Sequence, residues 1–110
     1  MTTLAGETLI MTMTLSGTTW SQTVTNMNTG AMVSFPFDLQ GQSQNRALFL
    51  IEGYDSAPTA PVQFGPTVVT FTKPDPLSCH VLSRGTNDVV SIPVASKDGT
   101  KCCIASITLE

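Results

Sequence analysis

The stretch TLIMTMTL, residues 8–15, decides the fold class of this 110-residue chain. Apolar and polar side chains alternate along it, and successive side chains of an extended strand point to opposite faces of a sheet. The odd positions therefore share an apolar face, while the even positions, mostly threonine, share the other. The apolar face carries Leu9, Met11, Met13 and Leu15. This alternation predicts a half-buried β-strand.

A second strand is predicted at residues 18–26 (TTWSQTVTN), with Trp20, Gln22 and Val24 on one face. It runs into Asn-Met-Asn-Thr-Gly, residues 26–30, where Asn28 and Gly30 tolerate positive φ. The sequence therefore predicts a tight hairpin at this point.

The third predicted strand, residues 31–39, has Val33, Phe35 and Phe37 on one face and Pro36 between the two phenylalanines. Because proline cannot donate to a hydrogen-bond ladder, we expect this strand to lie at a sheet edge or to be bulged.

The most apolar segment is RALFLIEGY, residues 46–54, which we predict to be a strand. Its two faces would carry Ala47, Phe49 and Ile51 on one side and Leu48, Leu50, Glu52 and Tyr54 on the other. A further strand is expected within residues 62–72, after the Gly65-Pro66 break, and three weaker strands at residues 77–83, 88–94 and 102–109, between turns. About eight strands and scarcely any helix predict an all-β, antiparallel β-sandwich or part of one.

Composition limits the functions to consider. The length suits one domain, residues 1–110. The five basic residues are scattered and the net charge is −3, so we expect no nucleic-acid partner. The longest apolar run, residues 47–51, is far shorter than the roughly 20 residues that cross a bilayer, and residues 1–15 lack the features of a signal peptide. We expect no membrane partner.

Three cysteines, Cys79, Cys102 and Cys103, leave at least one thiol free or bonded to another chain. Cys79 is expected to pair with either Cys102 or Cys103. A zinc site with His80 is disfavoured, because the spacing matches no zinc-finger or ribbon pattern. Cys79 and His80 would also point to opposite faces of a strand, which argues against a Cys-His nucleophile. No metal site or cofactor is therefore predicted.

Glu52 is the unusual member of its strand, because a carboxylate among Leu48, Leu50 and Tyr54 is costly to bury without a partner. Either this face meets solvent, or the carboxylate has a function. Apolar surroundings would raise its pKa and fit it for carrying a proton. From the residues alone, a partly exposed structural glutamate and a catalytic one both remain open.

Three segments in order resemble the second half of the glutamic peptidases, the eqolisin family of secreted fungal acid proteases. They are GETLIMTMT at residues 6–14, GTTWSQTVTNMNTG at 17–30, and RALFLIEGY at 46–54. The similarity continues through APVQF at 60–64 and VTFT at 69–72, and is clearest over residues 5–73. It implies a concanavalin-like sandwich and extracellular acid proteolysis.

The resemblance places Glu52 at the position of the family's catalytic glutamate. Leu50 and Tyr54, on the predicted face of Glu52, and Trp20 become candidates for contact with a polypeptide substrate. Two positions depart from the family: Leu48 replaces a glutamate and Gly53 replaces an aspartate. The family's oxyanion-stabilising glutamine has no counterpart motif in residues 1–110, so we expect this half to be inactive alone.

These observations lead to three hypotheses about the function. The first is a glutamic endopeptidase completed by a separately encoded partner half, with exposed strand edges that also favour a homodimer. The second is a non-catalytic β-sandwich that binds glycan, peptide or another surface through aromatic side chains such as Trp20 and Tyr54. The third is a truncated product without a function of its own.

Overall fold

The structure is a computed structural model that describes residues 1–44, 47–50, 60–80 and 83–110. Its regular elements are antiparallel strands and one short 3-10 helix, so the all-β prediction is confirmed. The chain divides into two units, Met1–Ala47 and Leu48–Glu110.

The first unit is a three-stranded antiparallel meander in which β2 is central. It contains β1 (Leu9–Ser16), β2 (Thr19–Asn26) and β3 (Met32–Asp38). All three strands lie within about one residue of their predicted bounds. Gly17 and Thr18 connect β1 to β2, and the φ of +63° at Gly17 suits the first central position of a type II′ turn.

Two local predictions can be compared with this meander. Gly30 has a φ of +77°, as expected for the second hairpin, whereas Asn28 does not adopt positive φ. The prediction that Pro36 marks an edge strand is confirmed, because β3 ends the sheet order. The outer side of an edge strand has no neighbouring strand, so a proline there costs the sheet no hydrogen bond.

The second unit contains two three-stranded antiparallel sheets, ordered β4-β9-β6 and β5-β8-β7. Their strands are β4 (Val62–Phe64), β5 (Thr67–Thr70), β6 (Val89–Val90), β7 (Val94–Ala95), β8 (Lys101–Ile104) and β9 (Ile107–Leu109). Nine strands are thus described where about eight were expected. Three of the predicted segments each include residues of two strands. Gly65-Pro66 separates β4 from β5, Pro93 lies between β6 and β7, and β8 and β9 join different sheets.

One small core holds the second unit together. Alternate residues of β8 and β9 are buried, and they form a cluster with Cys79. Its buried members are Cys79, Cys102, Ile104, Ile107 and Leu109. Since the two sheets share this cluster, the architecture is consistent with a partial β-sandwich.

In two predicted strands, the residues that the structure describes do not form a strand. Ser78–His80 is a 3-10 helix instead of part of a strand at 77–83, because the Asp75 carboxylate accepts hydrogen bonds from the Ser78 backbone N–H at 3.2 Å and from its hydroxyl at 2.6 Å. This local bonding favours a turn over a ladder. Within the predicted strand 46–54, the described residues 47–50 are irregular, and none of the described strands pairs with them.

Candidate functional site

The first sheet has one apolar face that is open to solvent. Residues that oppose each other across a ladder share a face, so the observed register defines this surface, which we call the apolar sheet face. It comprises Leu9, Met11, Met13, Leu15, Trp20, Gln22, Val24, Asn26, Val33, Phe35 and Phe37. Several of these side chains are strongly exposed, including Met13 at 59% and Phe35 at 53%. A contiguous, uncharged surface of exposed apolar side chains is typical of an interaction site.

Trp20 lies on the apolar sheet face in the central strand. Its ladder partners are Leu15 on β1 and Phe37 on β3, and its side chain is half-buried. Phe37 in turn lies beside Phe35, with ring centroids 6.0 Å apart. Its position between strands accounts for ordinary packing in the sheet, while the part of its surface that stays accessible leaves a role in binding as a prediction.

A polar cluster organises the end of the same sheet. Asn26 is fully buried, and its side-chain oxygen accepts hydrogen bonds from the backbone N–H groups of Asn28 at 2.9 Å and Thr29 at 3.2 Å. Its Nδ2 donates to Glu7 Oε2 at 2.7 Å, and Asn28 Oδ1 accepts from the backbone N–H of Thr8 at 2.9 Å. Thus segments 6–14 and 17–30, which carry much of the family resemblance, are bonded to each other.

The Glu7 carboxylate also accepts a hydrogen bond from the backbone N–H of Leu4 at 2.8 Å. This bond, followed by the bond from Asn26, lowers the pKa of Glu7 because both donors stabilise the charged form. Sequence reasoning missed this cluster. The sequence feature that indicates this cluster is the Asn-Met-Asn-Thr-Gly run, in which the short side chains of asparagine can accept hydrogen bonds just before a glycine turn.

Residues 48–50 of the predicted catalytic segment lie in the second unit. Phe49 packs against the core and meets Phe64 edge-on, with ring centroids 5.2 Å apart, whereas Leu48 and Leu50 are exposed. This alternation matches the predicted faces even though the residues are not in a ladder. Leu50 borders an open depression together with Asp88 and the C-terminal residues Leu109 and Glu110.

Of the predicted site residues, Glu52 and Tyr54 lie outside the described residues, so their predicted roles stay predictions. Trp20 belongs to the first unit and Leu50 to the second, and each is described within its own unit.

A second polar turn joins β7 and β8. The Asp98 carboxylate accepts hydrogen bonds from the Thr100 backbone N–H at 3.1 Å, the Ser96 hydroxyl at 2.8 Å and the Thr100 hydroxyl at 2.8 Å. These donors, with the backbone bond from Thr100 as the largest cause, lower the pKa of Asp98 to about 2. The carboxylate therefore stays ionised well into the acidic range and keeps the turn closed there.

The structure shows which cysteine bonds to Cys79, a choice that the sequence left open. Cys79 and Cys102 form a disulfide, and Cys103 is a free, exposed thiol. His80 follows Cys79 at the end of the 3-10 helix and is exposed. Within residues 1–44, 47–50, 60–80 and 83–110, no group of three or more His, Cys, Asp or Glu side chains is arranged to hold a metal ion.

Comparison with known proteins adds no relative: no family model matches the chain, and neither a curated protein nor a solved structure is found to match it. In the part of the chain that the structure describes, no helix is both long and apolar enough to cross a membrane.

Proposed function

We propose that residues 1–110 are the glutamate-bearing half of an acid endopeptidase of the glutamic-peptidase type. The observation that carries the proposal is the order and spacing of the three motif segments, ending in the Arg46–Tyr54 run that contains Glu52. The antiparallel all-β fold agrees with it. So does the hydrogen bond from Asn26 to Glu7, which joins the first motif segment to the second.

Glu52 is the proposed general acid and base. As a carboxylate it takes a proton from a water molecule, whose oxygen attacks the carbonyl carbon of the scissile peptide. The C–N bond then breaks, and the protonated glutamate returns the proton to the leaving nitrogen. A glutamine side-chain N–H donates to the oxyanion of the tetrahedral intermediate. In this proposal that glutamine comes from a strand outside residues 1–110, in the same polypeptide or in a partner half.

Substrate contact is assigned to Leu50 and Tyr54 on the predicted side of Glu52, with Trp20 as a further apolar contact. Leu50 is 56% exposed, as a contact residue requires. The proposed substrate class is an extended, unfolded polypeptide, because apolar side chains lie on both sides of Glu52 in the sequence, among them Leu50 and Tyr54. No cofactor enters this mechanism.

Two features support work in an acidic, oxidising compartment outside the cell. The Cys79–Cys102 disulfide suits an oxidising environment. The low pKa values of Glu7 and Asp98 keep their turn-forming hydrogen bonds to charged carboxylates when the pH falls. An Asp98 carboxylate with a pKa of about 2, and a Glu7 carboxylate with a pKa below its ordinary value, suit a fold that works at acidic pH.

The test uses a protein that contains these residues together with a glutamine-bearing strand, in one chain or co-expressed as two. Hydrolysis of a fluorescently labelled unfolded protein is measured from neutral pH down to about pH 2. We expect cleavage at acidic pH, and we expect Glu52→Gln to lower kcat by about 10²–10⁴-fold. The matched control is Asp38→Asn, which removes an exposed carboxylate on β3 and should leave kcat unchanged. Absence of cleavage at every acidic pH, or full activity of Glu52→Gln, would refute the proposal.

A second candidate function is non-catalytic binding, and the exposed apolar sheet face favours it. Such a module would bind an apolar, extended segment of another polypeptide against the face that carries Trp20 and Phe35. Isothermal titration with an apolar peptide library distinguishes the two functions. Binding that is lost in Phe35→Ser and unchanged in Glu52→Ala supports the binding module, whereas cleavage of bound peptides that depends on Glu52 supports the peptidase.

A further inference from the structure

The two edges of the first sheet differ in the backbone groups that they present. The Met27 N–H donates to the Thr8 carbonyl at 2.9 Å, one residue before β1 begins. In an antiparallel pair, alternate residues exchange hydrogen bonds with the neighbour, so the even residues of β1 bond to β2. The odd residues therefore direct their N–H and C=O groups away from the sheet. They are Leu9, Met11, Met13 and Leu15.

The opposite edge, on β3, is protected. The Asn26 N–H donates to the Ala31 carbonyl at 2.8 Å, which makes the odd residues of this strand the ones that bond to β2. Pro36 is an even residue, so its nitrogen, which carries no hydrogen, lies on the outer side. Asp38 follows on the same side with a charge. A proline and a charge are two devices by which proteins prevent another strand from pairing with an edge.

The outer edge of β1 has none of these devices. Its eight residues include no charge, proline or glycine, and the one-to-one register with β2 shows that it has no bulge. All eight are exposed, and in the described part of the chain no strand pairs with this edge. A long, regular and uncharged edge is a template for a further strand.

We infer that β1 pairs antiparallel with β1 of a second copy of this chain, about a two-fold axis perpendicular to the sheet. Such an axis passes between two copies of the same residue, so the numbers of opposing residues always add up to an even value. Odd residues therefore oppose odd ones, and the apolar faces of the two copies lie on the same side of the joined sheet.

The composition of β1 fits this symmetric partner. A two-fold axis brings each strand against itself, so a charge near the axis would face a like charge. β1 carries none. With the axis at Thr12, Leu9 opposes Leu15 of the second copy and Met11 opposes Met13, so the apolar face pairs with apolar side chains. On the other face Thr12 opposes Thr12, and Ile10 opposes Thr14. Cross-strand pairs of these kinds stabilise sheets.

The dimer is expected to be reversible. Edge pairing of two such strands buries less than about 1,200 Å², which is the range of weak and transient interfaces. Sedimentation velocity of the whole chain over a dilution series should show a monomer that converts to a dimer as concentration rises.

Three variants test the edge. Thr12→Lys places two ammonium groups together at the axis and should abolish the dimer. Met13→Pro removes an outward N–H without removing a bond to β2 and should do the same. Ser34→Lys puts the same charge as the first variant on the same polar face of the sheet but on β3, so it should leave the dimer intact. A wild type that is monomeric up to about 1 mM, or a Thr12→Lys variant that still dimerises, overturns the inference.

Amide hydrogen exchange provides a second measurement that does not depend on how well a variant folds. The N–H groups of Met11 and Met13 point outward in the monomer, so their exchange should slow by about tenfold when nine in ten chains are paired. The N–H groups of Thr12 and Thr14 bond to β2 and serve as internal controls whose protection is independent of concentration. Exchange at Met11 and Met13 that does not respond to concentration, or that slows only when a different polypeptide is added, contradicts pairing with a second copy.

Discussion

Asn26 Nδ2 donates a hydrogen bond to Glu7 Oε2 across 2.7 Å, and this bond connects the chain segment before β1 to the end of β2. Asn26 has no exposed surface, and its side-chain oxygen is occupied by two backbone N–H groups of the hairpin. One amide thus closes the turn and holds the N-terminal segment at the same time. Its role is structural, and two predictions follow from it.

Asn26→Ala should destabilise the first unit by about 2–4 kcal/mol, because it leaves the Asn28 and Thr29 N–H groups and the Glu7 carboxylate without their partner. The free energy of unfolding in urea, followed by the fluorescence of Trp20, measures this loss. The same change at exposed Asn87 is the matched control and should have an effect within about 0.5 kcal/mol. Equal effects of the two substitutions would contradict the structural role of Asn26.

Glu7 should make the stability of the sheet depend on pH. Its pKa in the folded chain is lowered below the ordinary value of 4.5, so its charged form is favoured by folding. The stabilisation is complete above pH 4.5 and is lost as the pH falls through the lowered pKa. The difference in Tm between wild type and Glu7→Gln should therefore be positive at pH 6 and should shrink towards zero at strongly acidic pH. Glu110→Gln serves as the control. A difference in Tm between wild type and Glu7→Gln that grows as the pH falls would contradict the prediction.

The disulfide should contribute substantially to the second unit. Cys79 and Cys102 are 23 residues apart, and closing a loop of this length stabilises a fold by about 3 kcal/mol in the chain-entropy model. Cys102→Ser, and reduction of the wild type, should lower the unfolding free energy by about this amount, whereas Cys103→Ser should not. Thiol titration of the native wild type should find one free thiol. Two or more would show that the bond is absent.

The small core can be tested with one substitution at two sites. Ile107 is 3% exposed and belongs to the core cluster, whereas Ile92 is 84% exposed. Ile107→Ala removes buried methyl groups and leaves a cavity, so it should cost about 2–4 kcal/mol, while Ile92→Ala should change stability by less than about 0.5 kcal/mol. Urea unfolding of both variants measures the contrast. Similar losses at the two positions would place the core elsewhere.

Strand periodicity predicted the first unit well because each of its strands is long enough for the alternation to be read. Pro36 predicted the edge position correctly for a different reason, because its missing N–H donor is a property of the residue itself. The second unit was harder, because its strands are as short as two residues. A continuous run of strand-forming residues such as 102–109 can form one strand or two strands in different sheets. Contacts with strands distant in the sequence decide between the two.

Ser78–His80, within the predicted strand 77–83, shows how a local hydrogen bond overrides propensity. Asp75 lies outside the predicted strand, yet its carboxylate binds Ser78 and bends the chain into the 3-10 helix. For the candidate site, the exposure of Leu50 follows the predicted alternation, whereas the partial cover of Trp20 depends on Leu15 and Phe37, which periodicity alone does not bring opposite it. The roles of Glu52 and Tyr54 remain predictions from the motif.

The neighbouring thiols on β8 bear on how the chain acquires its disulfide. Cys102 is buried and Cys103 exposed, because adjacent residues of a strand point to opposite sides. Oxidation to the alternative isomer, Cys79 with Cys103, would require β8 to turn over, which would send Ile104 into water and carry the Lys101 ammonium into the core. The alternation of β8 thus decides which of the two adjacent cysteines bonds to Cys79 during oxidative folding. The Cys79–Cys102 isomer is favoured because it keeps Ile104 buried and Lys101 in water.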